Sequence, residues 1–446
     1  MNKYIIMNKY INKKNIIYFL LLLIIILIIF LIINNIHKHK IKVGILFTTS
    51  VGAMAINEKR LYDITNETID LYNNSQKKIY LEKYTYSPES TEETYIKGAE
   101  YLLNKDLSLV FGCWRSADRK AVVPIFEKND NLLCYPVQYE GNECSKNVLY
   151  FGACPNQQIN IGIEYGIKNI SNQIVLIGSD YVFPRTANDI MKNYIYNLNA
   201  ELLDEIYVDM TFQDFDDITN KIISKYKNKK ILIMNTINGD SNKYFFESLF
   251  KGFKAKFSNQ VLYEVFPVMS FSLTENDCSF YDLEYIFGHY FIWNYSQLDM
   301  SYDSFLKNGY LTNPEIENIL IKNIVNKNII IDDPMYHSFL AVLFFVNFLE
   351  TYEGNYSSED IRNKYLASNN IKVLTPNGYL SIESSNHLQQ PVYILQINNK
   401  KRFKTIYKTP IEIHPNPWFD KFSKKHYQCN NDFQFLGDKY LTSRLF

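Results

Sequence analysis

Net charge is missing from this chain: lysine plus arginine and aspartate plus glutamate both number 47. A nucleic-acid partner, which calls for a clustered basic face, therefore has no compositional support. Glycine (16) and proline (13) are few, while asparagine, isoleucine, lysine and tyrosine abound, a bias that falls on tolerant surface positions and points to no chemistry. The six cysteines form no C-x-x-C pair and no zinc-like spacing with histidine, so no metal site is expected. Cys113 and Cys134 end apolar runs, where a free thiol packs as a small hydrophobe, and core packing is expected rather than a disulfide. Catalytic signatures are absent as well. There is no H-E-x-x-H, no G-x-S-x-G elbow and no phosphate-binding loop, and the seven histidines are scattered. Ser179 has no identifiable base nearby and reads as a hydrogen-bonding residue rather than a nucleophile. The chain is expected to be no enzyme and to hold no cofactor.

The sequence does carry one long apolar run, Ile16 to Ile33, long enough at 1.5 Å per residue to cross a hydrocarbon core. It passes into Asn-Asn-Ile-His-Lys without a small-residue cleavage site, so residues 16–34 are expected to be an uncleaved transmembrane signal anchor behind a short flank, 1–15. Lysines stand on both sides, and charge asymmetry leans only slightly toward placing the soluble part on the extracytoplasmic or luminal side.

From Ile41 onward, short β-rich apolar runs alternate with amphipathic stretches, the signature of βαβ units and a parallel sheet. Strands are expected at Lys42–Phe47, Ile79–Tyr86, Leu107–Cys113 and Asn131–Tyr135, and a second series at Gln173–Ser179, Ala200–Asp209, Lys230–Asn235 and Phe266–Ser272. Two successive doubly wound lobes without a nucleotide signature predict a cleft binder, with ligand groups at the carboxyl ends of the strands.

Three segments fall at such ends: Phe111-Gly-Cys-Trp-Arg-Ser-Ala-Asp-Arg-Lys120, Tyr135-Pro-Val-Gln-Tyr-Glu-Gly141 and Gly178-Ser-Asp-Tyr-Val-Phe-Pro-Arg185. Together with Asn235-Thr-Ile-Asn-Gly-Asp-Ser-Asn242, they resemble the urea- and short-amide-binding receptors of the type I periplasmic binding proteins. The relatives are the urea receptor of ABC transporters and the amide-sensing amidase regulator. The resemblance runs from about Ile41 to Ile397 and implies two Rossmann-like α/β lobes with the ligand cleft between them. It also implies that the chain crosses more than once: 41–151 plus about 289–366 for the first lobe, 152–288 plus about 367–399 for the second. Residues 400–446 remain as a wrapping or loosely packed tail.

Urea is planar, uncharged and rich in N–H, so a selective pocket supplies acceptors, a donor and flat apolar walls. The resemblance assigns Ser116 as a direct hydrogen-bonding residue and Trp114 as a wall. Tyr135, Val137 and Gln138 form a second ligand loop, and Tyr181 closes from the other lobe. Asn238 and Asp240 either contact the ligand or brace their loop. Ser50 is a weaker candidate, because its loop departs from the family's glycine order. Arg119 and Lys120 are expected on a solvated helix face, Arg185 at a turn, Asp332 and Asp333 at a helix start, and Glu140 in local pairing. His289, His337 and His387 are expected to be structural.

These features imply a membrane-anchored solute-binding protein for urea or a short amide, with an ABC-type permease as partner. A sensor read by another protein, or a scaffold that has lost its ligand, are the alternatives. One departure from the family is the absence of a lipid-carrying cysteine just beyond the apolar segment.

Overall fold

A computed structural model describes residues 16–29, 39–52, 54–74, 78–143, 145–297, 329–368, 372–375 and 378–418. The expected flank 1–15, residues 30–34 of the expected anchor, Cys144, Cys429, the stretch 298–328 and the tail beyond 418 lie outside the described residues. Residues 16–29 are helical and exposed throughout. Among the described residues no helix is long and apolar enough to cross a membrane.

The first lobe is built on β1 (His39–Leu46), β2 (Ile79–Tyr86), β3 (Leu109–Gly112), β4 (Leu133–Tyr135) and β5 (Val148–Tyr150), ordered β2-β1-β3-β4-β5. All four pairings are parallel. The inner strands are buried on both faces, which explains why they read as continuous apolar runs rather than alternating ones. β6 (Gln173–Ser179), β7 (Glu201–Val208), β8 (Leu232–Thr236), β9 (Val268–Ser270) and β10 (Tyr290–Trp293) form the parallel part of the second sheet. Successive residues of β6 serve opposite faces. Ile174 and Leu176 enter one core with Leu232 and Met234, while Val175 and Ile177 enter another with Ile231 and Ile233.

The crossings between lobes differ from the expected ones. β10 stays in the second sheet beside β9, so the return to the first lobe comes after Trp293 and not at 289. The small antiparallel sheet of β11 (Lys372–Thr375), β12 (Gly378–Ile382) and β13 (Leu388–Gln389) contributes Val373, Leu380, Ile382 and Leu388 to the core of the first lobe, where the second had been expected. The chain then crosses again, and β14 (Tyr393–Ile397) and β15 (Phe403–Lys408) extend the second sheet antiparallel, giving β15-β14-β10-β9-β8-β6-β7. The expected tail thus begins as a core-forming edge strand. Residues 413–417 continue across the crossing segments, where the Gln157 amide donates to Ile413 O, the Asn416 N–H to Asn156 Oδ1 and the Asn142 N–H to Pro417 O.

The Asp333–Glu350 helix is apolar on every side and correspondingly buried in the first lobe, with Leu340 to Val346 at most 1% exposed. Asp332 caps it by accepting the Met335 N–H at 3.2 Å, with Pro334 in the first turn, as the Asp-Asp-Pro signal predicts. Cys113, Cys134, Cys154 and Cys278 are free and buried.

Candidate ligand-binding cleft

The loops after β1, β3 and β4 of one lobe face those after β6, β8 and β9 of the other. A cavity of about 280 Å³ lies between them, bounded by Met54, Asn57, Arg60 and Trp114 on the first side and by Asn238, Asp240, Ser272, Asp277 and Tyr281 on the second. Its charged lining is balanced: Arg60 bonds Asp277 across the cleft at 3.1 Å, and Lys243 and Asp240 stand exposed at the rim. Asn57 also donates to Asp277, and the Gln138 amide reaches the carbonyl of Phe271, so both lobes are in direct contact.

Of the expected site residues, Trp114, Asn238 and Asp240 line this cavity. Asn238 is also a loop brace, since its N–H donates to Ser179 Oγ and its side chain to the Thr236 carbonyl. Ser179, with its hydroxyl in this turn, is placed as a structural partner. Ser116, Tyr135, Val137 and Gln138 lie deeper, all nearly inaccessible, with Tyr181 part-buried on the opposing lobe. Ser50 is exposed. The Tyr135 hydroxyl donates to the Trp114 carbonyl at 2.7 Å, so it ties two site loops together. Cys113, between β3 and Trp114, holds φ +71 in the left-handed region that a non-glycine residue adopts only under constraint. Its N–H donates to the Leu46 carbonyl, and the residue that follows this constrained turn, Trp114, lines the cleft.

The expectation for Arg119 is overturned. It is fully buried, and its guanidinium bonds Glu143 twice (2.8 and 3.1 Å) and Glu140 once (3.1 Å) while lying over the rings of Tyr135 and Tyr139. Glu140 is 2% exposed and joins Ser116 Oγ, Arg119 and the half-exposed Lys120 in one network. Burial pushes the Glu143 carboxyl up, but the charge and hydrogen bonds of Arg119 outweigh it and hold the group below its usual range. Arg185, by contrast, is exposed and pairs with Asp180 as a turn residue. The signal that could have located Arg119 is the pair Glu140 and Glu143, just past the strand that neighbours its own.

Behind this network Tyr139, Tyr150 and His387 stack. The Ser385 carbonyl can only accept, so His387 Nδ1 carries the hydrogen and Nε2 accepts from the Tyr139 hydroxyl at 2.5 Å. Burial lowers His387 to about 4 and His289 to about 3. Their contribution to stability is therefore present above pH 6.5 and is lost as pH falls toward those values.

Glu58 has the opposite sign. Its Oε2 accepts the Thr48 N–H at 2.7 Å and the Tyr95 hydroxyl, anchoring the start of the first cleft loop, and burial pushes the carboxyl up to about 8. The folded protein therefore retains this proton while the unfolded chain loses it, and stability drains as pH rises from 4.5 through 8. A Glu58→Gln protein, uncharged at every pH, is expected to melt near wild type at pH 5 and above it at pH 9. Melting curves at both pH values check this, and a difference that does not grow with pH contradicts it.

A family model described as a periplasmic binding protein domain matches residues 41–424. Solved structures share the fold. A solute-binding protein of an ABC transporter from Rhodopseudomonas palustris, in complex with p-hydroxybenzoic acid, aligns with a TM-score of 0.68 at 16% identity over 85% of this chain and 99% of that one. An amino acid ABC transporter substrate-binding protein from Pseudomonas fluorescens gives 0.66 at 13% over 85% and 98%. The branched-chain amino acid transporter substrate-binding protein of Streptococcus pneumoniae, in complex with isoleucine, gives 0.63 at 15% over 84% and 100%.

Proposed function

Because the chain belongs to the periplasmic binding protein domain family, whose members are substrate-binding receptors rather than enzymes, we propose that it closes its lobes on urea or a short-chain amide, for uptake through a partner ABC-type permease. The observation that carries this reading is the charge state of the cleft. Arg119, the one fully buried lysine or arginine side chain among the described residues, is already matched by Glu140 and Glu143, and Arg60 is matched by Asp277. A carboxylate ligand therefore finds no unopposed buried counter-charge, whereas an uncharged solute needs none. Neutral Asn238 from the second lobe lines the cavity and suits a small amide, the flat indole of Trp114 suits its planar face, and Ser116 and Gln138 lie buried behind that wall in the first lobe. Since ligand contacts come from two lobes, binding favours the closed arrangement.

The uninterrupted apolar run beginning at Ile16 supports a tether to a membrane through residues 16–34, with the two lobes on the extracytoplasmic or luminal side.

Calorimetric titration of the full-length protein in detergent, with urea, acetamide, p-hydroxybenzoate and isoleucine in parallel, tests the reading. Saturable one-to-one binding is expected for urea or acetamide and none for the two carboxylates. Binding of a carboxylate alone sinks the amide assignment, and a folded protein silent to all four is a scaffold that has kept the fold without the ligand. Retention of the chain in carbonate-washed membranes checks the tether.

A further inference from the structure

The direction of one hydroxyl hydrogen follows from the buried network. Ser116 Oγ lies 2.5 Å from Glu140 Oε2, while Glu140 Oε1 is held by Arg119 Nη2 at 3.1 Å and Lys120 Nζ at 3.3 Å. A carboxylate set between two cations accepts, so the Ser116 hydrogen points to Glu140. Arg119 Nη1 also donates to Ser116 Oγ at 3.3 Å, which occupies one of the two lone pairs. What the hydroxyl has left to offer is a single acceptor site. Gln138 adds a second acceptor on the same lobe. One hydrogen of its Nε2 goes to the Phe271 carbonyl, and its buried Oε1 has no partner among the described residues. An acceptor buried without a partner is costly, so the closed cleft favours an occupant that brings a donor.

We propose that Glu140 is a positioning residue that fixes the Ser116 hydroxyl as a hydrogen-bond acceptor, so that the first lobe selects uncharged solutes presenting N–H groups and rejects equally shaped molecules that lack them. This rests on the reading of the cleft as a small-amide site. The polarity is reversible by a single isosteric change. In Glu140→Gln the amide oxygen is drawn to the two cations and its NH₂ faces Ser116, which must then accept from it and turn its own hydrogen toward the ligand.

The test measures the affinity of the full-length protein for acetamide and for acetone, which places a methyl where the amide has NH₂. Wild type is expected to prefer acetamide by at least about tenfold, the scale of one unmet buried acceptor. In E140Q that ratio should fall by about tenfold, and in Ser116→Ala it should fall likewise. Adding E140Q to the S116A protein should change it no further, a non-additivity that a merely structural role of Glu140 does not produce. Acetamide binding with an unchanged ratio in E140Q overturns this inference alone. Failure of folded wild type to bind either urea or acetamide removes the amide reading and this inference with it. Should E140Q not fold, the wild-type ratio decides: acetone binding within about threefold of acetamide overturns the inference, and a larger preference supports it.

Discussion

An Arg119→Met protein is expected to lose about 3–5 kcal/mol of stability, the scale found when one partner of a buried ion cluster is removed. Methionine keeps much of the side-chain volume beneath the Tyr135 and Tyr139 rings, so the loss comes from charge rather than from a cavity. Glu140 and Glu143 are left inside the first lobe with only Lys120, which is 38% exposed, to balance them. Their common escape is protonation, so the defect should shrink as pH is lowered toward 5. A triple variant, Arg119→Met with Glu140→Gln and Glu143→Gln, removes the stranded charges and should recover most of the loss. Denaturant unfolding followed by tryptophan fluorescence reads all three proteins. A single variant within about 1 kcal/mol of wild type contradicts the view of Arg119 as the keystone of the site's rear wall.

Gly152→Ala is expected to cost about 3 kcal/mol or more and to weaken ligand binding even where the protein stays folded. A Cβ at position 152 lies 2.1 Å from the Val137 carbonyl carbon, 2.2 Å from its oxygen and 2.5 Å from the Gln138 nitrogen. No side chain can swing away, because the obstacle is backbone. Nor can the two strand ends part easily: Phe151 N–H donates to the Tyr135 carbonyl and Tyr139 N–H to the Ala153 carbonyl, one bond on each side of the contact. The displacement therefore falls on Val137 and Gln138, the second ligand loop. Gly239→Ala offers the contrast. There φ is +66 and only Met54 Sδ, at 3.9 Å, is near, so the strain is conformational and on the order of 1 kcal/mol. Melting temperatures and urea titrations of the two variants separate the cases, and equal effects would falsify the close-contact argument.

Much of the strand order could be read before any coordinates. Ile79–Tyr86 and Gln173–Ser179 form strands with the bounds that the apolar runs predict, because local pattern and burial agree there. The loops carrying Trp114, Asn238 and Asp240 border the cleft for the same reason, being the carboxyl ends of parallel strands. Sheet membership was less legible. Tyr290–Trp293 is an apolar strand that either lobe could use, and its partners, Met269 on one side and Tyr393 to Gln396 on the other, are set by long-range pairing that no window of sequence records. Arg119 was opaque for a related reason. A cation in an Asp-Arg-Lys run reads as solvated until its two carboxylates, 21 and 24 residues on, are seen to fold against it.

The interleaving of the two lobes bears on how the protein is made. The first lobe receives the Asp333–Glu350 helix and the Val373 to Leu388 strands long after β5 has been synthesised, and β10 acquires an outer neighbour only when β14 emerges. At about 5–20 residues per second, the roughly 240 residues between the ends of β5 and β13 take on the order of 12–50 s to translate. For roughly the first 200 residues of that interval the first sheet lacks the apolar helix that covers it, and throughout it the second lacks the antiparallel strands at one edge. Neither half can be completed while the other waits on the ribosome, so native assembly of both sheets is a late event.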